Sequence, residues 1–248
     1  MSKQLIALVT GASQGIGAAT ARRFVEAGHR VILAARNRDK LAALAKELGP
    51  AATPIACDVA DPGSVAQLFA QIGKNEPRLD VVFNNAGVGT APNDVGDTSW
   101  EDWRRVVSVN LDGAFLIASA AFRLMKAQTP QGGRIVNNGS ISAYTPRVKA
   151  AAYTASKHAI TGLTKSIALD GRAYNIACSQ IDIGNCLSEL SEIFARGVPQ
   201  ADGTVRPEPT MDVRHVAEAV LHMAELPPGT NILFETIMAT NMPYVGRG

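Results

Sequence analysis

Cysteine is scarce: Cys57, Cys178 and Cys186 are the only three in 248 residues. An odd number without C-x-x-C spacing excludes a disulfide framework and points to free thiols in a reducing compartment. Histidine is equally thin. His29, His158, His215 and His222 are dispersed, with no HExxH or other ligand spacing, so no metal site is expected and solvated or packing roles remain. Neither sign of charge dominates, the formal balance being +2 with no basic block, which leaves no footprint for nucleic acid or an anionic membrane. Long apolar runs are missing too. Residues 4–21 carry no charge, but Thr10, Gly11, Ser13, Gln14, Gly15 and Gly17 interrupt them, so neither a membrane span nor a signal core is expected there. The 22 glycines and 13 prolines are too few for a collagenous or low-complexity chain, and neither a repeat nor a Ser/Gly linker divides the sequence. The expectation is one cytoplasmic domain over residues 1–248.

What is present is a chain that is 46% hydrophobic and 19% charged, enough to build a large core without staples. Short β-rich runs at 5–9, 30–35, 53–57, 79–83, 134–138, 175–181 and 231–234 alternate with helical spacing at 16–27, 38–48, 64–73, 99–127, 152–170 and 212–224. This pattern predicts an α/β fold, a seven-stranded parallel sheet with helices on both faces. Asp61-Pro62 reads as an N-cap followed by proline at the first helical position. Residues 194–210, richer in Pro and Gly, are either a lid or an ordinary surface loop.

The first strand runs into Thr10-Gly11-Ala12-Ser13-Gln14-Gly15-Ile16-Gly17 and then a helix. Glycines let a backbone turn sharply and approach a pyrophosphate, whose charge suits free N–H groups at a helix start. The spacing is neither G-x-G-x-x-G nor a Walker A, and a merely glycine-rich turn would share it; the strand-turn-helix context is what points to a nucleotide. Where an acidic residue ~20 positions on would bind a ribose 2′-hydroxyl, the second strand ends in Ala34-Ala35-Arg36-Asn37. A cation there suits the 2′-phosphate of NADP(H) over NAD(H); alternatively Arg36 is a solvated charge leading a helix. Asp58 and Val59 follow the third strand, Asp58 as an acceptor for an adenine amino group or as a turn cap. Asn84-Asn85-Ala86-Gly87 follows the fourth, where small residues allow close approach of a ligand or form a plain turn.

Tyr153 and Lys157 stand four apart in a helical pattern and share one face. A tyrosine titrates near 10, so poising it near neutrality needs ~3 pKa units, or ~4 kcal/mol, which a neighbouring ammonium and a cationic nicotinamide can largely supply. Ser140, at the end of the fifth strand, is a candidate to hold the oxygen of a carbonyl substrate. Without that context the same spacing is that of a surface pair.

Taken together these segments resemble the short-chain dehydrogenase/reductase family in its one-domain form, over roughly residues 5 to 185. Thr10 to Gly17 is similar to its TGxxxGxG turn, Asn84 to Gly87 to its NNAG, and Tyr153 to Lys157 to its YxxxK, with Ser140 thirteen residues before the tyrosine. Asn110, in Ser108-Val109-Asn110-Leu111, is similar to the helix asparagine of the family's tetrad. The resemblance implies a Rossmann-type sheet of order 3-2-1-4-5-6-7 binding NADP(H). It implies Tyr153 as acid/base and Lys157 holding the nicotinamide ribose and lowering the tyrosine pKa. Ser140 would orient the carbonyl, and Asn110 would anchor a water in a proton relay. The implied cofactor contacts are Gly11, Ser13, Gln14, Gly15, Ile16, Gly17, Arg36, Asp58, Val59, Asn85, Ala86, Gly87, Tyr153, Lys157, Ile183, Gly184 and Ser188. A basic residue that family members often carry just before the middle glycine is Gln14 here, Ile183 stands where the family has proline, and Met238 and Met242 follow in a divergent tail.

The implied activity is hydride transfer between nicotinamide and a small carbonyl or alcohol. A cofactor-binding sensor without turnover, or an epimerase using transient oxidation, are the other readings. Substrate walls are expected from 141–147 and 185–210, with Asn185, Tyr144 and Met238 as pocket candidates and Cys186 as a lining or inert thiol. Helices 99–127 and 152–170 imply a homodimer or homotetramer, and Trp100 and Trp103 read as core or interface anchors.

Overall fold

Alternation along the first two strands sets the architecture. In β1 (Ile6–Thr10), Ala7 and Val9 pack into one apolar layer with Val31, Leu33 and Ala35 of β2 (Arg30–Ala35). Ile6 and Leu8 pack into another with Ile32 and Ala34. Side chains of a strand point alternately to opposite faces, so a run apolar at every position is a strand buried on both sides. The computed structural model describes residues 4–187 and 197–245.

One layer is roofed by α1 (Gly15–Glu26), by α2 (Arg38–Leu48) and by the later helix that supplies Val216 and Val220. The other is roofed by α3 (Pro62–Asn75), through Val65, Leu68 and Ile72, and by a later helix through Ile117, Ala121 and Met125. Asp61 caps α3 by accepting from Gly63 and Ser64 N–H, with Pro62 behind it, as the sequence predicts.

The remaining elements are β3 (Ala52–Ala56), β4 (Val81–Asn84), α4 (Trp100–Val107), α5 (Ala114–Ala127), β5 (Gly133–Asn138), α6 (Ala151–Asp170), β6 (Ile176–Ile183), α7 (Val213–Glu225) and β7 (Phe234–Ile237). All seven strands are parallel, in the order β7-β6-β5-β4-β1-β2-β3. The winding reverses between β1 and β4, and at such a switch point the carboxyl ends of the strands open a crevice for ligands.

Three expectations are corrected. The run 99–127 is not one helix: a π-helical turn, Ser108–Gly113, separates α4 from α5. By length and composition the run Trp100–Ala127 would suit a membrane span, but half of its most apolar 18-residue stretch is buried inside the fold. The last strand starts three residues late, because Asn231 is spent on sheet ends: it accepts from Ser179 Oγ and Arg134 and donates to the Cys178 carbonyl. Trp100 is no core anchor, being 67% exposed.

Candidate active site

The turn after β1 is shaped by what cannot fit in it. Gly11 has φ +66° and Gly15 φ +55°, a left-handed backbone that side chains other than glycine rarely adopt. A Cβ on Gly11 would stand 3.0 Å from Ala86 Cα, and one on Gly17 would strike the Gly11 carbonyl oxygen. Gln14, at the helix N-cap, gives no side-chain cap to α1. The first amides of α1 therefore face outward beside Ser13 and Ile16, the arrangement that takes up a phosphate. Gly17→Ala forces the turn apart, and we expect it to weaken dinucleotide binding by at least about tenfold, as 1.4 kcal/mol of distortion suffices; fluorescence titration of bound NADPH measures it.

Thr10 locks this turn to the next one. Its hydroxyl accepts from the N–H groups of Asn85 (2.9 Å) and Ala86 (3.0 Å), and Asn85 Nδ2 donates to the Thr10 carbonyl. Asn85 Oδ1 in turn accepts from Asn138 at the end of β5. At the outer corner Arg36 is exposed, and Lys40, four residues on, reaches Gln14 Oε1 at 3.0 Å, so a second cation stands at the position where the sequence offered only a glutamine. Asp58 Oδ1 accepts from Ala60 N–H, the turn-cap alternative for that oxygen. Val59 is buried, its side chain and carbonyl both against Gly113 of the π turn.

Four candidate side chains belong to segments at the carboxyl edge of the sheet. Lys157, buried, donates to the Asn138 carbonyl at 2.7 Å, and its Nζ lies 5.6 Å from the centroid of the Tyr153 ring. Asn110 owes its position to the π turn: its amide exchanges bonds with the Val88 backbone (2.8 and 3.0 Å) and donates to Ser156 Oγ. Ser156 then donates to the Tyr153 carbonyl. Ser140 Oγ accepts from Ser142 N–H at 3.1 Å. Ile183 lets β6 continue where a proline would have removed a backbone donor, and Gly184 N–H bonds to the Ile237 carbonyl. Ser188 lies outside the described residues.

Two groups escaped the sequence reading. Asp182, fully buried at the end of β6, accepts from Ser140 N–H (3.0 Å), Gln180 Nε2 (2.7 Å) and Tyr144 OH (3.0 Å). Its signal was there: Gln180 and Asp182 alternate as large polar residues in a buried strand. Burial, with the Asp182 charge and hydrogen bond behind it, pushes the Tyr144 phenol up to about 12. The second group is a clamp. Arg147 makes two bonds to Glu208 (2.7 and 3.1 Å) and one to Asn185 (2.7 Å), while Asn185 and Gln200 also donate to Glu208.

Asn185 is thus tied into this clamp and buried, not open as a pocket wall. Of the segment 194–210, residues 197–210 are described; they include a short ladder, Val198–Pro199 against Val205–Arg206, and are pinned through Glu208. The three cysteines are buried and none is in a disulfide; burial pushes Cys178 and Cys186 up to about 12, which favours the inert-thiol alternative for Cys186. Met242 packs with Ile141 and Ala239, with Met238 against them. His29 is a packing residue, and no metal cluster occurs among the described residues.

The model of the short chain dehydrogenases matches residues 5–196. A 3beta-hydroxysteroid dehydrogenase of Mediterraneibacter gnavus is 39% identical over 179 residues, 71% of this chain and 64% of that protein, so less than two thirds of that relative is spanned. A closed serine dehydrogenase complexed with NADP+ superposes with TM-score 0.88 at 26% identity, covering 98% of each chain. The 3-ketoacyl-(acyl-carrier-protein) reductase from Brucella melitensis complexed with NADH gives TM-score 0.84 at 25% identity, over 96% of this chain and 98% of that one. With a match over most of its length, a parallel sheet of the expected order and the glycine turn at its switch point, this chain belongs to the short-chain dehydrogenase family.

Proposed function

We propose that this protein is an NADP(H)-dependent oxidoreductase that interconverts a small carbonyl compound and its alcohol, with Tyr153 as the acid and base. The observation that carries the reading is the chain of contacts that joins Asn110 through Ser156 to Tyr153, sets Lys157 beside the Tyr153 ring and on the Asn138 carbonyl, two residues before Ser140, and ties Asn138 through Asn85 to the glycine turn. The cradle suits a dinucleotide: glycine amides and the start of α1 for the pyrophosphate, Arg36 and Lys40 for a 2′-phosphate, Asp58, Val59, Asn85, Ala86 and Gly87 toward the adenosine and ribose. Ile183 and Gly184 would take the nicotinamide end. When bound, the nicotinamide supplies or takes up the hydride.

The protein's own residues do the rest. Lys157 gives one of its three N–H donors to Asn138, which leaves two for ribose hydroxyls. Tyr153 gives its phenol proton to the developing alkoxide and takes it back in the reverse direction. Ser140 Oγ, already an acceptor from Ser142, has its own proton to donate to the substrate oxygen. Asn110 holds the loop at Val88 and, in this reading, a water of the relay. In this reading residues 141–147 line the substrate site, with the described part of the later segment, 197–210, beside it. The exposed Trp100 and Phe115 on α4 and α5, with Leu169 on α6, fit a homodimer or homotetramer joined through these helices, and buried thiols fit a cytoplasmic setting.

Cofactor titration tests the reading. NADPH should bind at least about tenfold more tightly than NADH, a difference of ~1.4 kcal/mol, and Arg36→Ala should bring the two close together. Equal affinities in the wild type would remove Arg36 from the account, and failure to bind either would remove the nucleotide site itself.

A further inference from the structure

Asp182 is a buried carboxylate that nothing in the proposed chemistry consumes. It is fully buried, makes no ion pair among the described residues, and lies between two isoleucines on β6 where a space-filling residue would be apolar. Burying such a group is unfavourable unless its oxygens are fully hydrogen-bonded. They are. Oδ1 accepts from Ser140 N–H and Gln180 Nε2, and Oδ2 from the Tyr144 hydroxyl. Gly139 is glycine because a Cβ there would collide with Asp182 Oδ1 and stand 2.8 Å from the Gln180 side chain. The loop 139–144 is therefore wrapped around this carboxylate at both of its ends.

We propose that Asp182 is a positioning residue of the active site: by fixing the Ser140 backbone and the Tyr144 hydroxyl, it holds the loop so that the Ser140 hydroxyl donates to the substrate oxygen. The proposal rests on the reading of Ser140 as the group that holds the carbonyl. Ser140 itself has no acceptor for its proton among the described residues, while Ser142 N–H occupies its lone pair. Tyr144 is engaged inward, so its phenol does not compete for the same substrate oxygen. Burial pushes the Asp182 carboxyl above its ordinary range, against the donors Gln180, Tyr144 and Ser140 and the nearby Lys157 charge. A carboxylate kept there against that cost is expected to be retained for activity rather than stability.

Asp182→Asn loosens the loop with little change of volume: one acceptor oxygen becomes an amide donor that cannot accept from the Tyr144 hydroxyl, and the bonds to Ser140 and Gln180 lose the carboxylate charge. The experiment compares full-length wild type, Asp182→Asn, Ser140→Ala and the double variant. Each is tested for NADPH affinity by fluorescence and for NADPH oxidation with 2,3-butanedione, ethyl acetoacetate and cyclohexanone as probes. Asp182→Asn is expected to lower kcat by about tenfold or more, leave NADPH affinity within about twofold, and add nothing in the Ser140→Ala background, because coupled groups are non-additive. Unchanged kcat in Asp182→Asn, or losses that multiply in the double variant, would overturn the proposal while leaving the carbonyl-reductase reading intact. A Ser140→Ala protein as fast as wild type, or a wild type inert to all three probes with NADPH bound, would overturn that reading and this proposal with it. If Asp182→Asn fails to fold, Tyr144→Phe takes its place in the same cycle with the same outcomes, at a smaller expected loss of kcat.

Discussion

Tyr153→Phe is expected to bind NADPH as wild type does and to reduce carbonyl probes slower by about 10²–10⁴-fold, the usual contribution of a positioned acid or base. The substitution removes one oxygen from a half-buried ring on α6, whose backbone carbonyl remains bonded to Ser156. Fold and cofactor cradle are thus left alone. Without the phenol, the developing alkoxide has the Ser140 hydroxyl for company but no group to protonate it. Lys157 does not substitute: its Nζ is held on the Asn138 carbonyl. A parallel loss of NADPH affinity would mean that Tyr153 acts chiefly in binding, and an unaltered rate would remove it from the chemistry.

Arg147→Ala is the second large effect, this time on stability. Glu208 is 4% exposed, and its carboxylate is satisfied by Arg147, Asn185 and Gln200. Burial alone would push this carboxyl up; the hydrogen bonds from Arg147, Gln200 and Asn185, with the Arg147 charge, hold it at about 2 instead. Removing the guanidinium takes the Arg147 ion pair from a buried carboxylate, a loss of about 3–5 kcal/mol. Urea unfolding at neutral pH measures it, and Arg147→Ala combined with Glu208→Gln should recover part of the loss. The same pair has a pH signature. Because the folded-state pKa lies below the ordinary carboxylate value of 4.5, its contribution is fully present above that value. It is lost as pH falls from about 4.5 through about 2, and the Arg147→Ala protein should show less of this dependence. A variant as stable as wild type at neutral pH would mean that the segment 197–210 is held by other contacts.

The legible part of this molecule is the part written in consecutive residues. The two-sided burial of β1 and β2 is an unbroken apolar run, and the turn from Thr10 to Gly17 carries its steric demand in its glycines. Other features lack a local signature. Asn110 sits on a π turn that leaves the apolar spacing of residues 99–127 almost undisturbed, so the run reads as one helix. The clamp joins Arg147 to Glu208 across 61 positions, and nothing near either residue announces the other. Residues 231–233 are apolar enough to read as strand, yet the Asn231 side chain bonds to three partners and delays pairing to Phe234. Asp182 is an intermediate case: its alternation with Gln180 marked a polar face in a buried strand, but its contact with the serine loop follows only from the pairing of β5 with β6.

Isotope transfer tests the central claim most directly. NADPH deuterated at the reactive nicotinamide carbon is incubated with the protein and each carbonyl probe, and the alcohols are read by mass spectrometry. One deuterium is expected on the carbinol carbon of at least one product with wild type, and about 10²–10⁴-fold less in the same time with Tyr153→Phe. Tight NADPH binding with no deuterium in any product, across the carbonyl probes and the reverse reaction with deuterated alcohols, would contradict it and leave a cofactor-binding protein without hydride transfer to carbonyls.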